Sequence, residues 1–223
     1  MPSSRVYTFK LAASSSNNIA LAQTANVGAL LTLNGAVATG NLDVPRRIAI
    51  TTLGNESTNT FTITGFDYFG RVQTEVLPGS SASSSYTFRD FSSVSSISVA
   101  STTSSTITAG TNGVGSTVPW VVDQWVNPTN IGIGTITGTQ AGNSGVSNIP
   151  VTYSIEASYD SFVDSGWDLT KTPPTYFPVE NFNAVGNSAM GSINSPVSLI
   201  RTTILSGTGS VTTNLRQGYV GRS

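Results

Sequence analysis

The chain has 223 residues, of which 38% are hydrophobic and only 9% charged, where a globular domain ordinarily carries roughly 25% charge. Ten basic and eleven acidic residues leave a net charge of -1, and Cys and His are both absent. These absences exclude thiol nucleophiles, Ser-His-Asp triads, imidazole acid–base catalysis, disulfides, c-type haem and zinc sites with N or S ligands.

The near-neutral balance also excludes the dense cationic face that coating a nucleic acid requires. Composition therefore predicts a non-enzymatic protein with no cofactor and no nucleic-acid partner. No run approaches the roughly 18 apolar residues of a membrane span, and Met1-Pro2-Ser3-Ser4-Arg5-Val6-Tyr7 lacks the charged and apolar regions of a signal peptide. The expectation is a protein made in a cytoplasm, with no membrane partner. Its 33 Ser, 31 Thr, 22 Gly and 17 Asn fill nearly half of the chain. Glu and Lys are scarce, so good helix formers are few and turn and strand formers abound. An all-β fold follows, and the length accommodates two antiparallel β-sandwich or jelly-roll-like modules.

In chain order, residues 1–33 lack hairpin partners of their own and predict an extended N-terminal arm, suited to adding a strand to a neighbour's sheet edge. Residues 34–115 predict the first sandwich module. Arg47-Ile48-Ala49-Ile50-Thr51 and Phe61-Thr62-Ile63-Thr64 alternate apolar and polar as strands do. Asp67-Tyr68-Phe69-Gly70 is a turn, and Arg71 to Val76 returns antiparallel with Val72, Thr74 and Val76 on one face. Tyr86 to Phe91, Val94 to Val99 and Thr106 to Thr108 supply further strands, with Ser80 to Ser85 as a loop. The glycine-rich Ala109 to Ser116 predicts an irregular boundary.

Residues 116–223 predict the second module. It opens on an aromatic segment with Trp120 and Trp125, followed by alternating strands at Ile131 to Ile136 and Val151 to Ala157. Val197 to Leu205 and Val211 to Leu215 flank Ser206-Gly207-Thr208-Gly209 and predict a hairpin. Between them lies a long loop, Asp160 to Met190, with Trp167, Tyr176 and several prolines. Loops this long in a compact domain usually face a partner.

Candidate chemistry is sparse. Asp160, Asp164 and Asp168 recur every four residues and are weak candidates for a hard cation such as calcium, since the spacing departs from an EF-hand loop. The same carboxylates would serve a glycan hydrolase only if a cleft set them in two different environments; a solvated acidic loop is the plainer expectation. Arg46 and Arg47 form the one adjacent basic pair, suited to bidentate contact with a phosphate or an acidic neighbour, though blunting an edge strand is the leading expectation. Phe66, Tyr68 and Phe69 around one turn are either a satellite core or an exposed contact patch. Trp120, Trp125, Trp167 and Tyr176 are further interface candidates and would form the stacking platform if the protein bound host glycans.

Several blocks resemble structural proteins of tailed bacteriophages. They are Asn34-Gly35, Val44-Pro45-Arg46-Arg47-Ile48-Ala49-Ile50-Thr51 and the run Phe61-Thr62-Ile63-Thr64-Gly65-Phe66-Asp67-Tyr68-Phe69-Gly70-Arg71-Val72-Gln73-Thr74-Glu75. Distal blocks are Tyr153-Ser154-Ile155-Glu156, Asp160-Ser161-Phe162, Phe177-Pro178-Val179, Ile200-Arg201 and Gly207-Thr208-Gly209-Ser210-Val211-Thr212. The chain departs at Phe66, where that family most often has Thr. The resemblance implies an all-β virion component assembled in the host cytoplasm. It points to a decoration or cement protein that bridges neighbouring copies of the major capsid protein, or other virion proteins, as a homo-oligomer, with a trimer favoured. A tail tube, collar or fibre-base protein is the alternative that it implies.

Overall fold

The computed structural model describes residues 3–34, 41–122, 131–137, 151–160 and 174–217. Among them there is no helix, and every strand pairing is antiparallel. The chain divides into two compact units: unit 1 is Met1–Leu11 with Ser116–Ser223, and unit 2 is Ala12–Gly115. Unit 2 is thus an insertion in the sequence of unit 1.

Unit 2 holds β2 (Ser15–Gln23), β3 (Arg46–Thr52), β4 (Thr60–Phe66), β5 (Val72–Pro78), β6 (Ser84–Tyr86), β7 (Ser93–Val99) and β8 (Ile107–Ser116, whose last residue belongs to unit 1). β4 lies between β5 and β7, while β3 lies between β6 and β8, with β2 also on β8. The alternation read from the sequence decides which side chains go in. Phe61 and Ile63 of β4, Ile97 and Val99 of β7, Ile48 and Ile50 of β3, and Ile107 and Ala109 of β8 share one core, closed by Ile19, Leu77 and Phe91. Each fully buried side chain of that kind is worth roughly 1.5–3 kcal/mol relative to exposure, so this cluster holds the two groups of strands together.

Unit 1 holds β1 (Ser3–Lys10), β9 (Trp120–Val121), β10 (Ile131–Thr137), β11 (Val151–Ser158), β12 (Phe177–Pro178), β13 (Ala189–Ile193), β14 (Leu199–Gly207) and β15 (Ser210–Gln217). One of its sheets runs β1-β15-β10-β13, and β11 separately joins β12 to β14, which also takes β9. Tyr153, Ile155, Phe182, Ile131, Leu199, Ile204 and Val211 are buried. The Phe182 ring lies so close over Gly191 that a Cβ there would stand 2.7 Å from it.

Four expectations change. The span 1–33 is not one arm: β1 pairs over its whole length with β15, and β2 pairs with β8. Ala109 to Ser116 is strand, not an irregular boundary. Its glycines serve close packing, because a Cβ at Gly110 would stand 1.9 Å from the Ser15 carbonyl oxygen. β14 and β15 follow one another through a tight turn but form no hairpin, since β15 already has β1 on one edge and β10 on the other. The strand expected from Tyr86 to Phe91 stops at Tyr86. There Thr87 turns inward to accept the Ile48 amide at 2.8 Å, and Phe91 returns as a buried bridge to Arg46.

Candidate functional site: an apolar face on the β4–β5 hairpin

The turn between β4 and β5 is built on Asp67. Its amide donates to the Arg71 carbonyl at 2.9 Å and its carbonyl accepts from the Gly70 amide at 3.1 Å. Asp67 Oδ1 accepts the amides of Phe69 and Arg71 at 2.8 and 3.0 Å, while Oδ2 takes the Arg71 guanidinium at 2.5–2.7 Å. Gly70 sits at φ +76°, a conformation open to glycine at little cost. An Asx turn and a glycine in this order were legible in the sequence.

This scaffold fixes the aromatic residues. The Tyr68 and Phe69 ring centroids are 3.9 Å apart, and the Arg71 guanidinium lies 4.8 Å from the Phe69 centroid. Phe66 and Phe69 are exposed and Tyr68 is half-buried. The patch continues onto the outer face of the hairpin. Phe66 stands opposite Val72, Thr64 opposite Thr74 with their hydroxyls 3.3 Å apart, and Thr62 opposite Val76. Val72 is 63% exposed, and Val76 is similarly open. The inner face puts Phe61 and Ile63 of β4 and Leu77 of β5 into the core, with Gln73 and Glu75 half-buried beside them. The result is an outer face of Phe, Val and Thr with an aromatic end set by the Asp67 turn.

Val72 and Val76 were not singled out as interface residues, although their shared face was evident from period-2 spacing. Alternation tells which residues go together; only the position of the core tells which set is left outside. Phe88, 84% exposed, was missed too. It lies on the segment held against β5 by the Glu75 carboxylate, which accepts the Phe88 and Arg89 amides at 2.6 and 3.0 Å.

The other candidates fare differently. Trp120 is only 3% exposed and pairs opposite Ile200, so it is a core residue and not an interface one. Trp125, Trp167, Asp164 and Asp168 lie outside the described residues. Tyr176 is half-buried under the Arg201 guanidinium, 3.9 Å from its centroid, and Arg201 is paired with Glu156 at 2.7 Å. Asp160 is turned to its own backbone surroundings, accepting the Thr175 amide at 2.5 Å and the Ser158 hydroxyl at 3.2 Å. Among the described residues no three His, Cys, Asp or Glu side chains cluster as metal ligands would.

Arg46 and Arg47 do not blunt an edge strand. β3 runs between β6 and β8, and Arg46 is 1% exposed, with its Nη1 3.2 Å from Asp43. Arg47 stays partly exposed, 4.0 Å from Asp90 and 5.8 Å from the Phe88 ring. Comparison with protein-family models, curated proteins and solved structures finds no match for this chain.

Proposed function

We propose that the protein is a structural component of a tailed-phage virion, acting without catalysis as a decoration or cement protein that bridges neighbouring shell subunits. The observation that carries this reading is the apolar face of the β4–β5 hairpin, where Phe66, Phe69, Val72 and Val76 are open to solvent while Phe61, Ile63 and Leu77 of the same hairpin are in the core. A contact surface that needs no ordering on binding loses little entropy on association, which suits a protein used in many copies. The blocks of sequence that resemble phage structural proteins supply the class, and the antiparallel all-β architecture is compatible with it.

Within this proposal each unit is a sandwich-like module, unit 2 with the strands around β4 and those around β3 facing one another across its core. The partner is the major capsid protein, and the working form is a homo-oligomer of symmetric type, with a trimer favoured. Mass photometry of the purified protein, alone and then mixed with shells that lack it, tests the assignment. Trimers that load onto shells in fixed stoichiometry are expected. Rings of six or twelve that ignore the shell would move the protein to the tail, and a monomer that binds neither would end the virion reading. A glycan-stacking platform gains no support from Trp120, which is buried.

A further inference from the structure

Because unit 2 is inserted in unit 1, it has an entry at Ala12 and an exit at Gly115. An insertion of this kind has to keep two distant points of the chain together. One buried side chain reaches the exit itself and the entry through a neighbouring carboxylate. At the exit, Arg46 stands opposite Gly115 in the β3–β8 ladder, and its Nη2 donates to the Asn112 carbonyl at 2.5 Å. At the entry, the Ala12 amide donates to Asp43 Oδ2 at 2.8 Å, and the same carboxylate accepts Arg46 Nη1 at 3.2 and 3.3 Å. The guanidinium therefore holds the exit directly and the entry through one carboxylate.

A second stitch lies just inside. Ser15 pairs with Thr111, Asn18 Nδ2 donates to Thr111 Oγ1 at 3.0 Å, and Gly110 leaves room for the Ser15 carbonyl. Arg46 is 1% exposed, and among the described residues its Nε has no hydrogen-bond partner. Burying a guanidinium costs desolvation that an apolar residue of the same volume would avoid, so its benefit lies in specifying an arrangement more than in raw stability. The arrangement specified here is the joining of entry to exit.

We propose that Asp43 and Arg46 form a clasp that couples the two ends of unit 2, so that residues 12–18 and 107–115 open together and not singly. Amide hydrogen exchange read by mass spectrometry on the full chain tests it, comparing the wild type with Arg46→Met and Asp43→Ala. In both variants, peptides covering residues 12–18 and 107–115 should exchange about tenfold faster or more, the factor that corresponds to losing a charged hydrogen bond. Peptides covering Thr60–Phe66 and Ser93–Val99 should keep their wild-type rates.

Faster exchange at one end alone would overturn the proposal, as would wild-type rates at both. An equal rise in Thr60–Phe66 and Ser93–Val99 would overturn it as well, because Arg46 would then be a general stability residue. If Arg46→Met does not fold, Lys at position 46 (Arg46→Lys) keeps a charge near Asp43 without the reach to Asn112. It should still loosen both ends together, and loosening of the exit alone would overturn the proposal.

Discussion

The two units tie down their polar groups with different chemistry. In unit 2, carboxylates tie loops down. Asp43 holds Ala12 and Arg46, Asp67 builds the hairpin turn, Glu75 holds the Phe88 and Arg89 amides, and buried Glu56 gathers Ser104 and Ser105. Unit 1 relies more on hydroxyls. Tyr153 OH bonds Thr135 Oγ1 and the Asn187 carbonyl, Thr202 meets Thr213 at 2.8 Å, Ser154 accepts the Ala184 amide at 2.9 Å, and Thr8 meets Thr212 at 3.0 Å.

The contrast has a consequence for pH. Burial raises the pKa of Glu56, but hydrogen bonds from Asn59, Ser104 and Ser105 outweigh it and hold the carboxyl below its ordinary value. A carboxyl lowered on folding stabilises above its unfolded pKa, and that contribution is lost as pH falls through the folded value. Burial raises the Tyr153 phenol above its ordinary value, with the Thr135 hydrogen bond opposing. A phenol raised on folding stabilises below its unfolded pKa, near 10, and that contribution is lost as pH rises through the folded value. Glu56 thus contributes an acid-sensitive contact to unit 2 and Tyr153 an alkali-sensitive one to unit 1.

The sharpest way to break the comparison is the Asp43–Arg46 pair. Asp43→Ala strands a buried guanidinium, whereas Arg46→Met leaves a carboxylate that is 32% exposed and still bonded to Ala12. Chemical denaturation of the whole chain should show Asp43→Ala costing about 3–5 kcal/mol, and Arg46→Met less. The reverse order would mean that the packing of the arginine stem outweighs its charge.

Next in size is Glu56→Gln. Its amide nitrogen would face a donor, either Asn59 Nδ2 or the Ser104 and Ser105 amides, and a loss of about 1–3 kcal/mol at neutral pH is expected. The gap between variant and wild type should narrow as pH falls below about 4.5, the unfolded value. A gap that is constant with pH would remove the acid sensitivity from unit 2. Tyr153→Phe keeps the ring but leaves Thr135 and the Asn187 carbonyl without the phenol. It should cost about 1–2 kcal/mol and flatten the loss of stability above about pH 10, with thermal melts across pH as the measurement. The smallest effect belongs to Phe66→Ser and Val72→Thr. On the exposed face they should change stability by under about 0.5 kcal/mol while weakening loading onto shells. Unchanged loading would take the hairpin face out of the proposed contact.

The strand pattern was most legible where burial follows period 2, as in β4 and β10. Phe61-Thr62-Ile63 and Ile131 to Ile136 alternate in the structure as they do in sequence, whereas Val151 to Ala157 buries Ser154 between Tyr153 and Ile155. Strand partners were legible at the β4–β5 hairpin, where Arg71 to Val76 returns antiparallel as expected, but not between distant segments. A glycine-rich run reads as a loop whether it bends or, like Gly110, lets another strand come close. Two strands around Ser206–Gly209 read as a hairpin whatever their edges have already bound.

The candidate site was half legible. The turn at Asp67 and its rings follow from local chemistry, but the exposure of Val72 and the burial of Trp120 depend on neighbours far along the chain. For Arg46 the acidic-neighbour reading holds and the edge-strand one does not, because β3 has a strand on each side. The available signal was Asp43 three residues earlier, the spacing that lets one side chain reach the other.

The pairing of Ser3–Lys10 with Ser210–Gln217 also bears on how the molecule is made. The earlier strand must wait for a partner translated about 200 residues later. At roughly 5–20 residues per second that wait lasts about 10–40 s. Every residue of the inserted unit emerges within that interval, so vectorial synthesis lets it complete its own core first. Until then β1 is an unsatisfied strand, and its two cationic side chains, Arg5 and Lys10, are of the kind that keeps nascent edges from pairing with one another.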